Sequence, residues 1–160
     1  MWRNASPTRC FPLHSACEEG DFEKVKELIK KKCDINEYDQ KHWAPLHCAA
    51  SNRNILIFKY LLKLGANPSA VTSNNATALH YIARMKEHAE LLNCLRLLIE
   101  KGADVNHLTW QRISPLHEAC SRASLMCASF LIDCGARIDE INSFFIFNLL
   151  MMNGTTLTLF

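Results

Sequence analysis

Four short segments of the chain are copies of one another, and this limits the possible folds more than any other feature. Pro12-Leu13-His14-Ser15-Ala16 returns as Pro45-Leu46-His47-Cys48-Ala49, as Ala78-Leu79-His80-Tyr81-Ile82 and as Pro115-Leu116-His117-Glu118-Ala119. The leucines are spaced by 33, 33 and 37 residues. A second marker keeps step. Gly65-Ala66-Asn67, Gly102-Ala103-Asp104 and Gly135-Ala136-Arg137 each fall 19 residues after such a leucine, once four extra residues in the third copy are allowed for, and Lys32-Cys33-Asp34 holds that place in the first. A two-part pattern at this period marks a stack of small units, none of which can bury its apolar stripe alone.

Within each unit the residue types have local reasons. Proline at a first helical turn has its φ already set and has no amide hydrogen to leave unpaired. The leucine after it points inward, and the small residues Ala16, Ala49 and Ala119 let neighbouring helices approach closely. A second helix follows, with apolar residues one turn apart: Val25 with Leu28 and Ile29, Ile57 and Phe58 with Leu61 and Leu62, Leu95 with Leu98 and Ile99, and Leu131 with Ile132. Gly65, Gly102 and Gly135 then sit where a helix ends in a left-handed conformation.

This pattern resembles the ankyrin repeat, whose unit of about 33 residues carries a T-P-L-H-x-A signature. The likeness runs over residues 7–142. It implies an all-α solenoid of helix-turn-helix units with projecting β-turn or hairpin loops. The expected organisation is a repeat domain over 1–142, with units at 7–38, 39–71, 72–108 and 109–142, followed by an atypical tail at 143–160.

Three departures from the family pattern stand out. The tight turn between the two helices has Gly20 in the first unit but Arg53 and Ala123 in the second and fourth. A side chain at positive φ costs on the order of 1 kcal/mol, so reshaped turns are expected there. The third unit inserts four residues within Arg84–Glu90, which should lengthen a helix end or widen a loop. After Asn142-Ser143 comes the apolar run Phe144–Met152, read as a cap on the last unit or as the start of a truncated fifth one.

Charge and cysteine content narrow the function classes. Lys and Arg outnumber Asp and Glu by 18 − 16 = 2, too few to argue for nucleic acid or an anionic membrane by charge alone. In the first unit Glu18, Glu19, Asp21 and Glu23 come before or open the second helix, and Lys30, Lys31 and Lys32 close it. Those signs complement the helix dipole and read as a solvated terminal helix. Met1–Pro7 lacks the apolar stretch of a secretory leader, and the eight cysteines fall at repeat positions expected to be buried. They read as reduced core residues of a cytoplasmic or nuclear protein.

Metal and catalysis find little support in the pattern. His14, His47, His80 and His117 recur one unit apart, at a stacking distance of ~10 Å, whereas ligands must lie within about 2.0–2.1 Å of one ion. The ankyrin resemblance instead gives this histidine hydrogen bonds to the backbone of adjacent loops. Cys10-x-x-x-His14-x-x-Cys17 and the group His42, His47 and Cys48 lack the paired spacing of a zinc site. There is no nucleophile elbow, phosphate loop or H-E-x-x-H helix. No cofactor, metal or catalytic residue is therefore expected.

What the resemblance implies is protein binding through the loop fingers and first helices of a concave face. Carried over by position, the finger residues are Tyr38, Gln40, Lys41 and Trp43; Val71, Ser73, Asn74 and Ala76; and Leu108, Trp110, Gln111 and Ile113. The exposed helix positions are Glu18 and Glu19; Ser51 and Asn52; Arg84 and Met85; and Ser121 and Arg122. Tyr38, Trp110 and Arg122 are the strongest candidates because Tyr, Trp and Arg dominate interface hot spots. Trp43 divides evenly between binding and packing on the next finger. The leading expectation is a scaffold or adaptor that binds another protein, monomeric unless the tail associates. One version is the substrate-recognition part of a ubiquitin-ligase receptor, although the box that should follow the repeats has no room here. The alternative is a stoichiometric inhibitor, similar to the four-repeat inhibitors of cyclin-dependent kinases.

Overall fold

The computed structural model describes residues 11–85 and 89–139. They form eight helices: α1 (Pro12–Glu19), α2 (Phe22–Lys30), α3 (Pro45–Ser51), α4 (Ile55–Lys63), α5 (Ala78–Ala83), α6 (Ala89–Glu100), α7 (Pro115–Ser121) and α8 (Leu125–Asp133). No strand occurs among the described residues, so the all-α expectation holds; the sole sheet-like feature there is an isolated bridge between Val71 and Thr77.

The helices stack in two layers. In one, α1 packs on α3, α3 on α5 and α5 on α7; in the other, α2 packs on α4, α4 on α6 and α6 on α8. The core is the seam between them. Leu13, Leu46, Leu79 and Leu116 are all buried in it, with Ala16, Ala49 and Ala119 fully enclosed. The second layer contributes Val25, Phe58, Leu61, Leu95, Leu98 and Leu131. Each such leucine contributes on the order of 2 kcal/mol by leaving water.

The cysteines follow the same logic. Cys17, Cys48, Cys94, Cys120 and Cys127 are buried, and none of the seven cysteines among the described residues is in a disulfide. Burial pushes the Cys17 thiol up to about 12 and those of Cys94 and Cys120 up to about 11. These groups stay protonated and act as small apolar residues rather than nucleophiles.

The turns between helices differ from expectation. Arg53 and Ala123 keep the left-handed conformation, at φ 61° and 54°, and the turns are not reshaped. The reason lies in the hydrogen bonds that the conformation allows. Just past each left-handed residue, an amide donates to a carbonyl five residues back: Asp21 to Ala16 at 3.1 Å, Asn54 to Ala49 at 2.9 Å and Ser124 to Ala119 at 3.0 Å. Each bond satisfies a carbonyl that the helix end would leave orphaned, which offsets a backbone cost of about 1 kcal/mol. The second helices end the same way, with Lys32, Gly65, Gly102 and Gly135 all at positive φ. The insertion coincides with a longer α6, of twelve residues against nine in α2, α4 and α8. Residues 86–88, Cys10 and the 143–160 tail lie outside the described residues, and so do the expected cap and fifth unit.

Gly20 has a second constraint besides its φ of 79°. A Cβ there would stand 2.8 Å from the Asn54 Oδ1. The Asn54 amide is not free to move, because it donates to the Cys17 carbonyl at 2.6 Å and the Glu18 carbonyl at 3.1 Å. Gly20→Ala is therefore expected to cost about 2 kcal/mol, combining left-handed strain with loss of this tie. A chemical denaturation midpoint equal to that of the parent protein would refute the account.

Candidate protein-binding surface

Three finger loops repeat one local geometry. Asp39, Thr72 and Thr109 each donate an amide hydrogen to the carbonyl four residues on, Trp43 at 2.8 Å, Ala76 at 2.9 Å and Ile113 at 3.0 Å. Each accepts in turn from the residue three on, His42, Asn75 or Arg112, and those three residues all have φ between 61° and 62°. The first residue of each tip also closes the turn with its side chain. Asp39 Oδ1 accepts from the Lys41 and Trp43 amides, and Thr109 Oγ1 accepts from the Ile113 amide.

Neighbouring fingers are tied together. The Trp110 amide donates to the Asn74 carbonyl at 3.1 Å and its indole Nε1 donates to the Ser73 carbonyl at 3.0 Å. The Asn75 side chain donates to the Leu108 carbonyl at 2.8 Å. Trp110 is thus fixed in place while 72% exposed.

The recurring histidines join fingers to helices. The Nδ1 of His47, His80 and His117 accepts the amide of Ala44, Thr77 or Ser114, at 3.0, 3.2 and 3.2 Å. That assignment puts the proton on Nε2, which donates to a finger carbonyl: Ala70 at 2.9 Å for His47 and Ile113 at 3.1 Å for His80. His14 makes the matching bond to the Trp43 carbonyl at 2.8 Å. His117 Nε2 instead faces Asp139 at 3.1 Å. In His47 and His80 both nitrogens are engaged with backbone. Among the described residues no group of three His, Cys, Asp or Glu side chains could hold an ion.

The candidate residues separate by exposure. Gln40, Lys41, Ser73, Asn74, Leu108, Trp110 and Gln111 are exposed on the fingers, and Ser51, Asn52, Arg84, Ser121 and Arg122 on the inner helices. Tyr38 is half-buried and stacked on His42 at 4.2 Å. Trp43 is half-buried against Tyr81 at 5.0 Å, which favours its packing role. Ile113 and Val71 are half-buried, and Ala76 is 4% exposed. Met85 requires correction. It was expected to be solvent-facing but is 3% exposed within the apolar core, because it lies past the end of α5 at Ala83, where helical register no longer sets the direction of a side chain.

Five candidates meet in one place. Ser51, Arg84, Met85, Ser121 and Arg122 line a groove of about 470 Å³ across the ends of α3, α5 and α7, together with Arg53, Tyr81 and Ala123. Repeat register in the sequence does not mark these last three as binding residues. Tyr81 could have been found only from its aromatic type, directly after the histidine of the third copy. Burial raises its phenol pKa, and the Arg84 guanidinium lies 5.6 Å from its ring centre.

Comparison with known proteins is consistent with this architecture. A family model described as ankyrin repeats (3 copies) matches residues 3–72 and 64–142. The chain is 36% identical over 129 residues to the Hydra vulgaris protein named tyrosine-protein kinase HTK16, covering 78% of this chain and 16% of that protein. It is 32% identical over 128 residues to the Saccharomyces cerevisiae target of rapamycin complex 2 subunit AVO2, covering 78% of this chain and 29% of the subunit. It is 38% identical over 68 residues to human protein phosphatase 1 regulatory subunit 27, at 42% and 44% coverage. The chain thus spans less than a third of the first two relatives. No helix among the described residues is long and apolar enough to cross a membrane.

Proposed function

Because the chain belongs to the ankyrin-repeat family, whose repeats indicate a protein–protein interaction module, we propose that it is a non-catalytic adaptor gripping a partner protein with its fingers and inner helices. The observation that carries this reading is Trp110. A large aromatic side chain stands 72% exposed at a finger tip, held there by bonds to Ser73 and Asn74. A rigid exposed aromatic supplies contact area at low entropic cost. The arrangement of the histidines supports the same view, since imidazoles bonded at both nitrogens are scaffold rather than acid–base catalysts. The buried thiols, none of them in a disulfide, support a reducing compartment, the cytoplasm or nucleus. The relatives whose names state a role in a complex, a regulatory subunit and a complex subunit, support an accessory role.

Affinity purification from cell extract with mass spectrometry tests this, comparing the parent protein with Trp110→Ala. Several unrelated clients should be recovered, and the variant should bind them about 2 kcal/mol more weakly with an unchanged melting temperature. Clients retained equally by the variant would overturn the placement of the surface. A single kinase as the dominant partner would replace the adaptor with an inhibitor.

A further inference from the structure

The groove between α3, α5 and α7 has an unusual charge. Arg53, Arg84 and Arg122 come from three successive helix pairs and line one cavity, and no acidic side chain lines it among the described residues. All three are exposed, and none forms an ion pair with a described carboxylate within 4 Å. Around α2, by contrast, several surface charges are paired: Lys24 with Glu19, Lys26 with Glu23 and Lys31 with Glu27.

A plain explanation would be that the arginines complement helix C-termini. Each terminus carries about half a negative charge, so three helix ends leave the groove net positive against three guanidinium groups. Arg53 holds φ 61° at the turn where the first copy has Gly20 and the fourth has Ala123 at φ 54°, so the turn does not need an arginine and glycine would take it without strain.

We propose that this groove receives an extended acidic peptide segment of the partner, its carboxylates pairing with Arg53, Arg84 and Arg122. The proposal rests on the adaptor reading and adds the chemistry of the partner. Stacked helices lie about 10 Å apart, and a chain extended as polyproline II advances about 3.1 Å per residue with three residues per turn, so an acidic residue at every third position stays on one face and meets successive arginines. Tyr81 and the small Ser51 and Ser121 also line the groove, and the small side chains leave room for the peptide backbone. A nucleic acid fits less well. The net charge is only +2, exposed Glu18 and Glu19 end the basic row at α1, and Glu118 borders it on the finger side.

Fluorescence anisotropy with the full chain tests this, using a labelled peptide with glutamate at every third position, a lysine-substituted counterpart and a single-stranded RNA. The glutamate peptide should bind, more weakly as salt rises, and the lysine peptide should not. Arg84→Gln and Arg122→Gln should each weaken binding about tenfold. Arg53→Gly should weaken it similarly while leaving the melting temperature unchanged or raised, a pairing of effects that a structural arginine would not give. Undiminished binding by Arg53→Gly, or tighter binding of RNA than of peptide, overturns the proposal. If the arginine variants bind normally while Trp110→Ala loses its clients, the acidic-peptide inference falls and the adaptor stands. If Trp110→Ala also keeps its clients, both fall.

Discussion

Acidification from about pH 7 to about pH 5 is expected to remove about 4 kcal/mol of folding stability, through two imidazoles, before the carboxylates titrate. His47 and His80 are 0% and 2% exposed. Burial holds the pKa of each down at about 4. In the unfolded chain both return to about 6.5. Between those values the unfolded state binds protons that the folded state does not, so stability is complete above about pH 6.5 and falls as pH drops toward 4. At about pH 5 this amounts to about 2 kcal/mol per ring. The structural cost has a definite site. Nδ1 accepts the Ala44 or Thr77 amide, and a proton placed there would leave a buried donor without its acceptor. Urea unfolding across this pH range checks the slope, and NMR titration should find both rings neutral until about pH 4. Unfolding free energies that stay flat from pH 7 to pH 5 would refute it.

Phe58→Ala should cost about 4 kcal/mol, whereas Leu56→Ala, two residues away on the same helix, should change stability by less than ~0.5 kcal/mol. Phe58 is 0% exposed and Leu56 is 72% exposed. Because α4 contacts α2, α3 and α6, a cavity there loosens three neighbours at once. A stacked repeat protein has no distant contacts to compensate, since each unit is held only by those beside it. With total stability of about 5–15 kcal/mol for an ordinary domain, the Phe58 variant should keep only about 1–11 kcal/mol and melt at a markedly lower temperature. Equal denaturation midpoints for the two variants would show that the seam is not where the stability lies.

The candidate surface was only partly legible in the sequence. Register alone carried Ser51, Arg84, Ser121 and Arg122 to one face, and the groove brings them together. Register also carried Met85 there as an exposed residue; it lines the groove but is only 3% exposed, because it lies past the end of α5, where helical register no longer sets the direction of a side chain. Arg53 drew notice only as an awkward turn residue. Nothing in its neighbours in sequence indicates that Arg84 and Arg122, from two later units, stand around the same cavity.

The stack itself followed from the sequence, since a 33-residue return of proline, leucine, histidine and glycine positions fixes local helices, their ends and the faces they bury. These are short-range properties, set by backbone sterics and by which side chains avoid water. Tertiary structure decided the fate of the turns at Arg53 and Ala123, where hydrogen bonds to Ala49 and Ala119 kept a strained conformation. It also decided the tethering of Trp110 to the preceding finger and the meeting of three arginines. Those depend on how far apart neighbouring units stand and how they are rotated, distances through space that no spacing along a chain encodes.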